Sequence, residues 1–243
     1  MLSYFEIKPD AMIQPSSSEK QANWIHFEDP SKHEMTHFAK KYHLPMTLFE
    51  VAQDINEVAR YETFTTESGE QLTHICLLVP VKTHDSEDHA EYITRPFSFI
   101  VSGATLLTVG HQQSALVNEI CQIKGQQQPV ATLMLKSISL IYRRYLAALG
   151  IVAQQIKQLE KNVHVSTRNQ TLYALKALKK SVVFLDLGLK SNQQIVPQMK
   201  ASTLFKDVAD QQDELYRIDI QFAKSDKAIT TYRELLAQLS DLL

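Results

Sequence analysis

The apolar side chains in the second half of the chain recur every seven residues, and this repeat restricts the fold more than any other feature of the sequence. Alternating steps of three and four place them along one face of a helix. The first run comprises Leu135, Ile138, Tyr142, Tyr145, Leu149, Val152, Ile156, Leu159 and Val163. The second comprises Leu175, Leu178, Val182, Leu185, Leu189 and Val196, and the third comprises Val208, Leu215, Phe222, Ile229, Leu236 and Leu243. We therefore predict three helices, each far longer than the usual length of about 11–12 residues.

The third of these helices is predicted to run from Lys206 to Leu243, a length of about 57 Å. Its final stretch, TTYRELLAQLSDLL, contains no Gly, Asn or Pro to end the helix. A lone helix of this length would leave Leu236, Leu239 and Leu243 in water, although burying each such side chain is worth roughly 1.5–3 kcal/mol. We therefore expect other helices to cover this seam.

Strands alternate with short helices in the first half of the chain. The predicted strands are FEIK, NWIHFE, VARYETFT, THICLLVPV, RPFSFIVS and TLLTV. THICLLVPV is nearly all apolar, which is typical of a strand covered on both faces. The sequence predicts an α/β (α+β) domain at residues 1–125, with a mixed sheet flanked by helices, and a long-helix region at residues 126–243.

The two halves also differ in charge, although the whole chain has a net charge of only −2. Residues 1–125 carry a balance of −8 and residues 126–243 a balance of +6. The basic half does not interleave arginine with aromatic residues, so we expect no nucleic-acid partner. Cys76 and Cys121 lie among apolar residues, which favours reduced thiols and a cytoplasmic location. No signal peptide and no run of 18 apolar residues occurs, so we expect no membrane span in this sequence.

The segment HEMTHFAKKYH comes close to the zinc signature of a large class of metallopeptidases. His33 and His37 would share a helix face, with Glu34 as general base and His43 as third ligand. That signature has a turn-forming glycine where this chain has Lys40. Continued helix would carry His43 about 15 Å along the axis, out of reach of a shared ion. We therefore expect a water-exposed helix, capped by Ser31 with Glu34, rather than a peptidase.

A second polar cluster lies between two predicted strands and comprises His84, Asp85, Glu87, Asp88, His89 and Glu91. Its composition suits either a divalent cation or a solvated hairpin loop. The sequence shows no glycine-rich phosphate loop and no nucleophile elbow, so we predict no catalytic residues and no enzyme.

Several segments together resemble the cytoplasmic part of the CorA family of magnesium channels. NWIHFEDPSKHEM resembles the family's Trp–Pro segment with a following helix, and RPFSFIVSGATLLTV resembles its strand pair ending in Thr-Val. SISLIYRRYLAALGIVAQQIKQLEKNV resembles the first long helix, and LYALKALKKSVVFLDLGLKSNQQIV the next, including Lys179, Phe184 and Asn192. FKDVADQQDEL resembles the start of the stalk helix, including Asp207, Val208 and Asp210. The resemblance covers nearly all of the chain.

The resemblance implies a cytoplasmic regulatory domain of a Mg²⁺ channel at the inner face of the cell membrane. Family members are homopentamers in which α/β domains surround a funnel of long helices, and they close when cytoplasmic Mg²⁺ binds between subunits. The expected partners of Leu236, Leu239 and Leu243 are then the stalk helices of four other subunits. The family's Gly-Met-Asn signature is absent, so we expect membrane helices C-terminal to this sequence.

The same resemblance implies an inter-subunit regulatory site for Mg²⁺. The turn before the central strand carries Glu67 and Glu70, and the stalk carries Asp219 and Asp226 beside Lys224, which occupies the position of the family's acid. Three alternatives stay open: a Zn²⁺-transporting branch of the family, a soluble helical scaffold, and the disfavoured zinc peptidase.

Overall fold

One seven-stranded sheet forms the N-terminal half of the computed structural model, which describes residues 1–8, 13–54, 56–65, 69, 71–83, 90–123, 129–162, 168–206, 208 and 210–242. Its strands are β1 (Leu2–Ile7), β2 (Ile13–Ser16), β3 (Trp24–Glu28), β4 (Arg60–Thr65), β5 (Gln71–Thr83), β6 (Glu91–Ser102) and β7 (Thr105–Gly110). Their spatial order is β2-β1-β3-β7-β6-β5-β4. β3 and β7 are parallel, whereas all the other neighbouring strands are antiparallel. The predicted mixed sheet is confirmed, although β2 was not predicted.

Two short helices, α1 (Lys32–Lys41) and α2 (Thr47–Glu50), contribute to the apolar cluster on one face of the sheet. Side chains of a strand alternate between faces, so Ile25 of β3 belongs to this cluster and Trp24 to the cluster on the opposite face. β5 supplies Leu72 to the first cluster and Leu77 to the second. Buried side chains on both faces explain why THICLLVPV is almost wholly apolar, as predicted.

The opposite face of the sheet is covered by the helices of the second half. These helices are α3 (Ser114–Ile120), α4 (Pro129–Asn162), α5 (Arg168–Gln193), α6 (Val196–Ala201) and α7 (Gln211–Asp241). α4 and α5 lie against β5 and β6, and α7 lies against both α4 and α5. The three long helices contain 34, 26 and 31 residues, which confirms the prediction from the heptads. One apolar cluster includes both sheet and helix residues, and the division at residue 125 stays a prediction.

Two boundaries of the predicted helices were wrong. The second helix ends at Gln193, and a separate helix starts at Val196 with Pro197 in its first turn. Proline lacks the backbone N–H that an uninterrupted helix would need there. The third helix begins at Gln211 instead of Lys206, because a 3₁₀ turn at Thr203–Phe205 precedes it. The Ser202 hydroxyl caps that turn by accepting a hydrogen bond from the Leu204 N–H at 3.1 Å.

The apolar seam of α7 is buried within its own chain. Leu236 and Leu239 are only 1% and 6% exposed within a single chain, in which α7 packs against α4 and α5. The expectation that the stalks of other subunits cover these two residues was therefore wrong, and Leu243 lies outside the described residues. In the described part of the chain, no helix has the length and apolarity required to cross a bilayer.

Candidate functional site

The histidine motif lies on α1, where its glutamate caps the helix. The Glu34 carboxylate accepts hydrogen bonds from the N–H and the hydroxyl of Ser31, both at 2.8 Å. The Ser31 hydroxyl oxygen accepts the Glu34 N–H at 3.3 Å. These bonds lower the pKa of Glu34, because they favour its charged form. The predicted capping box is confirmed, and Glu34 has a structural role.

The three histidines of this motif are all exposed. α1 continues through Lys40 and ends at Lys41, so the sharp turn of the peptidase signature does not occur at Lys40. His43 lies beyond the helix in a left-handed conformation with φ 51°, which corrects our expectation that it would continue the helix. Within the described residues, no group of three His, Cys, Asp or Glu side chains is arranged to hold a metal ion.

The second polar cluster lies mostly outside the described residues. Positions 84–89 belong to that undescribed part, whereas Glu91 begins β6. The Glu91 carboxylate lies 3.4 Å from the Lys180 ammonium of α5. Glu91 therefore helps to attach α5 to the sheet, and the metal or loop interpretation of the other five residues stays a prediction.

Two of the four predicted metal ligands lie on α7. Asp219 is partly exposed, and its carboxylate forms an ion pair with the Lys200 ammonium of α6 at 2.7 Å. Asp226 is also partly exposed, and its carboxylate has no partner among the described residues. Lys224 is exposed between them. Glu67 and Glu70 lie outside the described residues, so the four-carboxylate site stays a prediction.

The helix geometry separates the two stalk carboxylates. Asp219 and Asp226 are seven residues apart, or about 10.5 Å along the axis. Both side chains lean toward the start of the helix, so the carboxylates keep about this separation. Because Mg²⁺ and Ca²⁺ bind oxygen at roughly 2.0–2.6 Å, a single ion cannot bridge them. Each acid therefore needs further ligands from outside α7 to hold a cation.

Lys200 places a positive charge where a bound cation would sit beside Asp219. Its side chain is 45% exposed and that of Asp219 is 37% exposed. An ion pair this accessible to solvent contributes at most about 1 kcal/mol, so a divalent ion can displace the ammonium at small cost. Sequence analysis could not predict this pair, because the two residues belong to separate helices.

A buried carboxylate joins α7 to α5 further along the stalk. The side chain of Asp186 is 4% exposed and lies 2.7 Å from the guanidinium of Arg233 and 3.0 Å from the ammonium of Lys190. Lys190 follows Asp186 by one helical turn, a spacing that the sequence does reveal. The contact with Arg233 spans two helices, and sequence analysis missed it. This pair holds the C-terminal half of α7 against α5.

Asn192, one of the residues on which the family resemblance rests, hydrogen-bonds to the backbone of β5 where, in the described part of the chain, that strand has no partner strand on one side. Its side-chain oxygen accepts the Leu78 N–H at 2.8 Å, and its NH₂ group donates to the Leu78 carbonyl at 2.8 Å. The Tyr145 hydroxyl donates to the same carbonyl at 2.9 Å. β4 pairs with β5 only as far as Cys76, so these side chains replace the missing strand. Asn192 therefore positions the helices on the sheet.

Comparison with known proteins gives one family and several similar folds. The family model described as "CorA-like Mg2+ transporter protein" matches residues 19–243. The soluble domain of CorA from Methanocaldococcus jannaschii has a TM-score of 0.78 at 16% identity, over 99% of this chain and 95% of that one. The complete CorA magnesium transporter of the same organism has a TM-score of 0.77 at 17% identity, over 100% of this chain and 76% of that one.

A third similar structure is the ZntB cytoplasmic domain from Vibrio parahaemolyticus, with a TM-score of 0.69 at 10% identity. That alignment covers 98% of this chain and 94% of the ZntB domain. At these identities, the structural matches establish the fold alone. No curated protein sequence matches this chain.

Proposed function

Since this chain belongs to the CorA-like Mg²⁺ transporter family, we propose that it is the cytoplasmic ion-sensing domain of such a transporter. It gates Mg²⁺ passage through a homopentamer whose membrane helices follow α7. The observation that carries this proposal is the family match over residues 19–243. The likeness to the CorA soluble domain over 99% of the chain agrees with it.

The proposed sensor consists of carboxylates from two neighbouring subunits. Asp219 and Asp226 on α7 are accessible and cannot share one ion, so each requires a second set of oxygen ligands. Glu67 and Glu70 of the adjacent subunit supply them in this proposal. Carboxylates from two chains repel each other until a cation lies between them, and Mg²⁺ prefers such oxygen ligands together with retained water.

Binding at this interface explains how the ion would control the channel. A cation that binds only the closed, symmetric assembly stabilises that state in proportion to its occupancy. Loss of cytoplasmic Mg²⁺ removes the bridge and restores repulsion between the subunits. Lys200 lowers the apparent affinity at Asp219, because the incoming ion has to displace its ammonium.

Thermal melting and sedimentation with increasing Mg²⁺ test this proposal. We expect millimolar Mg²⁺ to raise the melting temperature and favour the oligomer. A variant with Glu67→Gln, Glu70→Gln, Asp219→Asn and Asp226→Asn should lose this response. An unchanged response in that variant would exclude these residues as the sensor. Lys200→Met should strengthen the response, whereas Lys176→Met removes an exposed ammonium of α5 and should leave the response unchanged.

The Zn²⁺-transporting branch is the alternative within the family. The fold likeness to the ZntB cytoplasmic domain supports it only weakly, since the identity is 10%. Parallel titrations separate the two ions, because Zn²⁺ prefers nitrogen and sulfur ligands whereas Mg²⁺ prefers oxygen. A response to micromolar Zn²⁺ that persists in the four-carboxylate variant would favour the zinc branch. A chain that never assembles with either ion would favour the soluble scaffold.

A further inference from the structure

Two adjoining clefts open along one side of α4. The first has a volume of about 520 Å³ and lies between α3, α4 and α7. The second has a volume of about 350 Å³ and lies between α4 and the β5–β6 strands. Both clefts are lined by Glu119, Leu140 and Arg143, so they meet at the middle of α4. Together they form one groove, which we call the α4 groove, in the size range of small-molecule sites.

The α4 groove is strongly cationic. Its described lining contains the five basic side chains Lys82, Lys136, Arg143, Arg144 and Arg217, against the two acids Glu119 and Glu214. The surplus is therefore three positive charges, in a protein whose net charge is −2. A concave surface focuses such a field and concentrates anions within it.

Both acids of the groove already have partners within it. Arg144 lies 2.6 Å from Glu119, and Arg217 lies 3.0 Å from Glu214. Lys82 and Arg143 are exposed and form no ion pair with any described residue. Within the described part of the chain these two side chains do not stabilise the fold through charge pairing, and Arg143 lies where the two clefts meet. Their donors are available to a ligand.

The spacing of the cations matches an extended anion. Lys136 and Arg143 are seven residues apart on α4, or about 10.5 Å along its axis. A chain of two or three linked phosphates can extend along the helix between these two positions, whereas a single phosphate covers only part of that distance. Arginine suits this role because its planar guanidinium donates to two phosphate oxygens at once.

The second cleft adds an apolar surface beside the cations. Pro80, Ala147 and Ile151 line it, and Ile151 is 38% exposed. An apolar or aromatic group would bind favourably over these side chains, since it removes apolar surface from water. Adjacent phosphate-binding and apolar regions are the chemistry that recognises a nucleotide.

We propose that the α4 groove binds a nucleoside di- or triphosphate, with the phosphates along Lys136 and Arg143, Lys82 beside them, and the base over Ala147 and Ile151. This site is separate from the carboxylates of the proposed Mg²⁺ sensor. Nucleotide binding in the α4 groove does not depend on which ion the protein transports. A nucleotide bound there contacts α3, α4 and α7 at once, so it would stabilise the packing of the stalk on the rest of the chain.

Calorimetric titration of the full chain with ATP and with tripolyphosphate, both in EDTA, tests the proposal. We expect ATP to bind more tightly than tripolyphosphate and binding to weaken with added salt. The double variant Lys82→Ala/Arg143→Ala should bind ATP at least about tenfold more weakly, the loss expected for one charge-assisted hydrogen bond. The control Lys176→Ala/Lys227→Ala removes two exposed lysines elsewhere and should bind like the parent.

A second variant guards against an indirect effect on folding. Ala147→Glu keeps the helix but adds a negative charge on the exposed wall of the second cleft, so it should weaken ATP binding without changing the melting temperature of the free chain. The proposal is overturned if ATP does not bind, or if the groove variants bind it like the control. Equal affinity for ATP and tripolyphosphate would overturn the nucleoside part of the assignment.

Discussion

Replacement of Gly188 by alanine should destabilise the protein, even though alanine is the better helix former. Gly188 lies within α5, where a methyl group would sit 2.5 Å from the Tyr145 hydroxyl oxygen and 2.6 Å from Cγ2 of Thr94. Tyr145 is fully buried and donates to the Leu78 carbonyl at 2.9 Å. The methyl group therefore cannot be accommodated without moving a hydrogen-bonded, buried side chain.

The size of the effect follows from three contributions. Overpacking of a core costs about 1–3 kcal/mol, and disturbing a buried hydrogen bond costs about another 1–3 kcal/mol. Replacing glycine by alanine within a helix returns about 1 kcal/mol. The expected net loss of stability is about 1–5 kcal/mol. A value of 3 kcal/mol within this range lowers the melting temperature of a chain of this size by about 6–12 °C.

The chain contains a matched control for this substitution. Gly150 lies within α4, and a methyl group there would meet nothing within 4 Å. Gly150→Ala should therefore raise the stability by about 0.5–1 kcal/mol. Denaturation of both variants, followed by circular dichroism, measures the two changes. The packing argument fails if both variants shift in the same direction, or if Gly188→Ala is as stable as the parent.

The remaining predictions concern a cap, a buried histidine and a buried ion pair. Ser31→Ala should lower the stability by about 0.5–2 kcal/mol at neutral pH. The stability difference between parent and variant should shrink as the pH falls through the depressed folded pKa of Glu34, because protonation weakens the capping hydrogen bonds. A difference that does not depend on pH would argue against the capping box. Burial lowers the pKa of His74 in the folded protein, so the unfolded chain takes up the proton first and stability should fall as the pH drops below about 6.5. Denaturant titrations at several pH values measure how steeply the free energy of unfolding changes with pH, and His74→Gln should reduce this dependence by at most about 1.4 kcal/mol per pH unit. Asp186→Asn should cost about 1–3 kcal/mol, and a double-mutant cycle with Arg233→Met that shows no coupling would contradict the contact between α5 and α7.

The packing of α7 within its own chain determines how substitutions in its seam should act. Ile229 and Leu236 are each 1% exposed within a single chain. A charge at either position would therefore enter the core of the chain itself, which costs several kcal/mol unless the charge is paired. Ile229→Asp with Leu236→Asp should melt the helical region, and loss of assembly in that variant would not identify an oligomer interface.

The sequence determined the local structure wherever a signal is carried by neighbouring residues. The heptads fixed three long helices because a helix turns at nearly constant pitch, so an apolar face appears directly in the spacing. Ser31 and Glu34 fixed the start of α1, since the capping box joins residues three apart. The apolar run from Thr73 to Val81 fixed a strand covered on both faces. The resemblance to the CorA family rested on the same segments and is confirmed by the family match.

The tertiary structure decided which surfaces meet. An apolar seam shows that a partner exists but does not identify it, and the structure assigned the seam of α7 to α4 and α5 of the same chain. The ion pairs of Lys200 with Asp219 and of Asp186 with Arg233 join residues 19 and 47 positions apart. No periodic pattern relates residues on separate helices, because their distance depends on how the helices dock. The basic groove along α4 has the same origin, since its charges come from β5, α4 and α7.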